Sequence, residues 1–213
     1  MTEIKKNIRK SQILELIETL SKKNYIPIYA DNIVEARNLV LKLIPQGSSI
    51  ALGGSVTINE LNLIESFRSD NYRLFDRYNQ PDWPSTVECM RQGLLADYFV
   101  TSTNAITKNG ELIQMDSGGN RVASLLYGPK NAIVICGINK LVDTYQDGLN
   151  RIQEFVGPLN SKRINHKTPC NISGKCENCN TKQRICNFTT IVKSGERVDG
   201  KTFVVIINEE VGY

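Results

Sequence analysis

Four of the six cysteines in this chain fall in one stretch, TPCNISGKCENCNTKQRICNF, which begins just after its only histidine, His166. Cys170, Cys176, Cys179 and Cys186 are spaced C-x5-C-x2-C-x6-C. In the C-x-x-C core two thiolates can reach one metal from a single turn. A set of four suits either tetrahedral Zn²⁺ or a [4Fe–4S] cluster. Lys175, Lys182 and Arg184 lie in the same stretch, where their charge favours thiolates and offsets a negative four-thiolate site. Neither the paired C-x2-C zinc-ribbon pattern nor the C-x2-C-x2-C-x3-C-P ferredoxin run is met, so spacing alone leaves the metal open. A redox dithiol of Cys176 and Cys179 lacks the strand-then-helix setting of thioredoxin-like motifs. His166 is read as a bystander, since four thiols already complete a ligand set. Cys89 and Cys136 sit in helical and strand patterns and read as core residues.

A second chemistry is written in GGSVTINE, residues 53–60. Two glycines, a serine and a threonine between a buried strand and a helix let backbone amides and hydroxyls approach an anion. A capped strand-to-helix turn would use the same residue types, and spacing does not separate the two readings. A third polar constellation runs through residues 101–130, with Ser102, Asn104, Thr107, Asp116, Asn120 and Arg121 between apolar anchors. Arg121 has the fork to hold a carboxylate or phosphate bidentately, or it pairs with Asp116 as a structural element.

These groups need a scaffold, and the chain alternates strand and helix patterns. Apolar residues at near-helical spacing from Ile8 to Leu20 predict an N-terminal amphipathic helix within residues 1–24. IPIYA (26–30), SSIAL (48–52), YRLFDRY (72–78), the stretch from 97 to 116 with a turn at Asn109-Gly110, NAIVICGINKLV (131–142) and TFVVIINEEVGY (202–213) read as strands. Helices are expected after Asp31 or Asn32, from Thr57 or Asn59, over 84–96 with Ser85 as cap, and from the end of the 131–142 stretch to about residue 156. The expected fold is an α/β layered sandwich with a largely parallel sheet, with antiparallel additions at the 109–110 hairpin and the last strand. Residues 1–213 are expected to form a single domain, with 167–188 as a cysteine-rich loop inserted within it.

At 213 residues the chain can bury a sizeable core, and its net charge of +4 is carried without a dense basic stripe, which argues against nucleic acid as a partner. No secretory signal is visible and no apolar run is long enough to span a bilayer, so the expected location is the cytoplasm. Thiols are kept reduced there, and clustered cysteines read as metal ligands before they read as disulfides. A homodimer is the expected oligomer on general grounds.

ALGGSVTINELNLIE, the segment ADYFVTSTNAITKNGELIQMDSGGNRVASLLYGPKNAIVICGINKLV, and the terminal VVIINEEVGY resemble the lactate-utilization protein C family, the LUD-domain proteins. The likeness runs from about residue 10 to the C-terminus. It implies a fold similar to the CoA-transferase and ribose-phosphate-isomerase group, a small anionic metabolite as ligand, and oxidase-like or iron–sulfur partner proteins in lactate oxidation. The ligand-binding role it implies falls on Gly53, Gly54, Ser55, Thr57, Asn104, Asn120 and Arg121. It names no catalytic residue: Glu60 is nearest to a nucleophilic glutamate and has a ready explanation at a helix start. Simple members lack the cysteine loop, which places this chain in a distinct branch. With electron-handling partners implied, the resemblance favours [4Fe–4S] over zinc and an accessory redox role over two others: a zinc-pinned regulatory subunit, and a transferase or hydrolase using the anion pocket.

Overall fold

The computed structural model describes residues 3–213. The first helix, α1, spans Glu3–Ser21, and the first two residues of the expected stretch lie outside the described residues. It buries Ile13, Leu16 and Leu20, while Ile8, expected on its apolar face, is exposed. Strand β1 (Ile26–Ala30) leads to α2 (Ile33–Leu43), and β2 (Ser49–Leu52) leads to α3 (Val56–Glu60) and α4 (Leu63–Phe67). Strand β3 (Arg73–Phe75) and helix α5 (Trp83–Gln92) precede β4 (Tyr98–Ser102), β5 (Ala105–Thr107) and β6 (Leu112–Asp116). Then come α6 (Asn120–Leu126), β7 (Asn131–Gly137), β8 (Leu141–Val142), α7 (Tyr145–Arg151), α8 (Gly157–Arg163), α9 (Pro169–Ser173), β9 (Phe188–Val192) and β10 (Thr202–Ile207).

Six strands form one parallel sheet in the order β1-β10-β7-β4-β2-β3. Alternation along each strand sends side chains to two cores. Ala51, Phe99, Val134, Cys136, Val204 and Ile206 pack with α1 and with Ile106 and Leu112 of the second sheet. Ile50, Leu52, Val100, Ile133, Ile135, Val205 and Ile207 pack against residues of α2, α3 and α4 on the opposite face. The second sheet, β8-β5-β6-β9, is mixed, with β5–β6 and β6–β9 antiparallel. The layered α/β sandwich with its largely parallel sheet is thus as the sequence predicts.

Several boundaries differ, each for a local reason. Strand β10 was expected as an antiparallel addition; it lies parallel between β1 and β7 and ends at Ile207. Its unbroken VVII run is buried on both faces, the pattern of an internal parallel strand. The antiparallel late strand is β9, which sequence reading missed. Helix α5 is capped by the Asp82 side chain, which accepts from Ser85 N, and α3 by Ser55, which accepts from Ile58 N. The expected caps and starts at Ser85, Thr57 and Asn59 lie inside those helices. Helical structure also continues past residue 156, through a π-helical turn at Ile152–Val156 into α8. Gly157 N donates to Ile152 O in that widened turn, so Pro158, without an amide hydrogen, is accommodated in the first turn of α8.

From β2 the chain moves outward to β3, then returns through β4, β7 and β10 on the other side. The reversal falls between β2 and β4, and in open α/β sheets ligands gather beyond the carboxyl ends of strands at such a point. Gly137 ends β7 against the chain's last turn: a Cβ there would fall 2.6 Å from both Glu209 O and Val211 N. Gly137→Ala should therefore cost about 1–3 kcal/mol in chemical denaturation. A midpoint equal to the wild type would contradict that close approach.

Candidate functional site

Beyond the carboxyl ends of β2, β4 and β7 opens a cleft of about 910 Å³. Gly54, Ser55 and Thr57 line it from the first turn, Ser102 and Asn104 from the end of β4, and Asn120 and Arg121 from α6. Gly53 is the one candidate of the set that does not line it. A Cβ on Gly53 would fall 2.9 Å from Thr101 Cβ, so this glycine serves the packing of the turn against β4.

At the floor stands a residue that sequence reading passed over. Lys140, 2% exposed, follows β7 by a single turn. Its Nζ donates to Thr57 Oγ1 and to Ser102 Oγ, each at 2.7 Å. The hydroxyls pass their own hydrogens on, Thr57 to Val211 O at 3.5 Å and Ser102 to Thr103 O at 3.2 Å. An ammonium has three donors. The third finds no partner among the described residues, and no carboxylate there lies within ion-pair distance. Burial pushes the Lys140 pKa down from 10.5 to about 8, with Arg151 and Arg121 pushing the same way and Cys136 and Glu60 opposing. At neutral pH it remains largely a cation.

The walls carry the same sign. Arg77, Arg91, Arg121 and Arg163 join Lys140 in lining the cleft, against the single carboxylate of Asp116. That carboxylate is already engaged: Oδ2 accepts from Arg121 N at 2.9 Å and Val122 N at 3.3 Å, and Oδ1 accepts from Ser117 N at 2.9 Å. The Asp116–Arg121 relation is thus a carboxylate on the start of α6 and not a side-chain ion pair. The Arg121 guanidinium instead donates through Nη2 to Asn104 Oδ1 at 2.8 Å and to Met115 O. Asn104 Oδ1 also accepts from Met115 N at 2.9 Å, and Asn104 O from Arg151 Nη1 at 2.8 Å. Both residues therefore brace the wall, while the buried Arg121 Nε has no partner among the described residues. With the Asn120 amide turned so that its oxygen faces donors, it accepts from Arg77 Nη1 at 3.2 Å. Arg163 Nε donates to Tyr213 OH at 2.7 Å. Among the described residues neither Arg77 nor Arg163 is paired with a carboxylate.

The cysteine segment borders this cleft. His166 and Ile185 line it, and Ser117 Oγ donates to Arg184 O at 3.4 Å. Arg184 also gathers its own loop, donating through Nη1 to Cys179 O at 2.6 Å and through Nε to Cys186 O at 3.2 Å. All four thiols are free of disulfides. Burial, with smaller contributions from Cys176 and Cys179, holds the Cys186 thiol above its ordinary value despite Arg184 beside it. Cys170 Sγ lies 3.2 Å from Thr168 Oγ1, and His166 Nδ1 is engaged with Gln183 O at 3.0 Å. The loop has the donor chemistry of a soft-metal site. Its side chains are not drawn together as ligands: no three His, Cys, Asp or Glu groups among the described residues converge to hold an ion.

A family model for the LUD domain matches residues 13–207. The chain belongs to the LUD domain family. Among solved structures, this LUD domain is similar to a DUF162 family protein from Deinococcus radiodurans, with a TM-score of 0.56 and 12% identity over 93% of this chain and 97% of that one. At that identity the likeness speaks for the fold. A search of curated proteins finds no match. No helix among the described residues is long and apolar enough to cross a membrane.

The buried lysine has a measurable signature. Its folded pKa lies below its unfolded one, so between pH 8 and 10.5 the unfolded chain binds more protons, and stability rises with pH across that window. Relative to Lys140→Met, which cannot titrate, the wild type should gain about 3 kcal/mol from pH 8 to 10.5. A stability difference that is flat with pH would remove the buried charge from the site.

Proposed function

We propose that this LUD-domain protein binds a small organic oxyanion in the cleft and serves as an accessory redox protein in the oxidation of lactate or a similar 2-hydroxy acid. The observation that carries the binding half is Lys140: a buried ammonium, one donor free, at the floor of a cleft lined by four arginines. Isolated buried charge is costly, and an entering anion would offset that cost while accepting the free N–H. Thr57 and Ser102 hold the ammonium in place, and the glycine turn at Gly54 and Ser55 borders the space the anion would fill.

The redox half rests on the cysteine segment and on membership of a family linked by name to lactate utilization. In this reading Cys170, Cys176, Cys179 and Cys186 hold a [4Fe–4S] cluster, after their side chains close about the Arg184-braced loop. Such a cluster supplies one-electron transfer. Arg184 and the other basic residues of the segment would offset its negative charge. Because His166 and Ile185 line the cleft, the cysteine loop and the bound anion would share a wall.

The test is one preparation, purified without oxygen. It should contain about four iron and four sulfide per chain, and Cys179→Ser should lose them. Inorganic phosphate or lactate should raise its melting temperature, and Lys140→Met should abolish that rise. One zinc per chain with no iron would overturn the redox half. Equal anion-induced shifts in the wild type and Lys140→Met would overturn the binding half.

A further inference from the structure

Helix α5 raises the question of what else the cleft holds. Trp83, Val87 and Met90 follow one another at helical spacing along it, and Leu94 continues the stripe in the short turn after its end. All four line the cleft, opposite in character to the cationic floor. A stripe at this spacing ordinarily faces a core. This one ends in the chain's only tryptophan, 67% exposed at the edge of the cavity. Trp83 is not an isolated exposed aromatic: with Val87, Met90 and Leu94 it makes a continuous apolar wall beside polar residues, and contiguous exposed apolar surface marks ligand grooves. Ala123 of α6 extends the apolar wall.

Size points the same way. The cleft, about 910 Å³, stands toward the upper end of the roughly 300–1,000 Å³ typical of pockets that enclose drug-sized ligands. A three-carbon hydroxy acid seated on Lys140 would leave the α5 wall to water. From this wall and this volume we infer that the ligand is an amphipathic oxyanion. Its carboxylate or phosphate accepts the free N–H of Lys140, whose other two hydrogens are held by Thr57 and Ser102, and its planar aromatic body lies against Trp83, Val87, Met90 and Leu94. Indole offers a flat apolar face to such a body, and offset stacking adds to the area buried. Arg77, beside Gly54 and above the Tyr78 ring, adds positive charge to the same cleft.

This inference rests on the oxyanion reading above, and matched probes separate the two. Lactate is compared with phenyllactate, and ribose 5-phosphate with AMP, by titration calorimetry on the full chain, with Trp83 fluorescence as a second readout. In the pair whose head group is accepted, the aromatic member should bind about tenfold more tightly and quench or shift the Trp83 emission. Trp83→Ala, at an exposed position, should remove most of that gain. Equal affinities within both pairs, or a gain that survives Trp83→Ala, would overturn the aromatic assignment and leave the oxyanion site standing. Binding by none of the four would remove the oxyanion site, and this inference with it.

Discussion

A lysine ammonium held in the interior by two hydroxyls and no carboxylate is an expensive arrangement, and the cleft is organised around it. Desolvation lowers the pKa of Lys140 to about 8, so the charge remains at neutral pH, and Thr57 and Ser102 accept two of its three hydrogens. Those hydroxyls come from α3 and from the end of β4, and the lysine from the turn after β7. The ammonium therefore ties three connections of the parallel sheet to one point. The chain's last turn closes over the same place, with Gly212 so near Thr57 that a side chain there would collide with its hydroxyl.

That point lies where the strand order reverses, and the fold concentrates positive charge there. The opposite wall comes from Asn104, in the link between β4 and β5, and from Met115 and Asp116 at the end of β6, braced by the Arg121–Asn104–Met115 hydrogen bonds. Strand β9 pairs with β6 directly after the cysteine segment, and Asn187 N donates to Asp116 O at 3.0 Å. Cys186 is consequently held next to the strand pairing that positions Asp116. His166 flanks the cysteine segment, Ile185 lies within it and Ser117 is bonded to it, so the segment and the cleft share these residues.

Much of this was legible from residue order alone. Alternating strand and helix patterns gave the layered sandwich, the Asn109-Gly110 turn gave the β5–β6 hairpin, and six of the seven ligand candidates do line the cleft. What escaped has a common physical cause. Arg77, Trp83, Lys140 and Arg163 stand alone in sequence and meet only through tertiary structure. A signal was available for Lys140: a lysine one turn beyond an unbroken buried strand sits where strand ends deliver ligand contacts. Strand β9 was missed because FTTIV is half-polar and follows a segment dominated by cysteines. Gly53 falls outside the cleft lining because strand-to-helix turns need glycine for packing as well as for ligand approach, and this one packs on Thr101.

The most direct measurement is the pKa of Lys140 itself, followed by NMR of the side-chain amine in protein labelled at lysine, with Lys140→Met to assign the signal. A value near 8 in the free protein, rising when phosphate or lactate is added, is the expected result: a bound anion stabilises the charged form. An ordinary value near 10.5 that no anion moves would contradict a buried, anion-seeking lysine at the floor of the cleft.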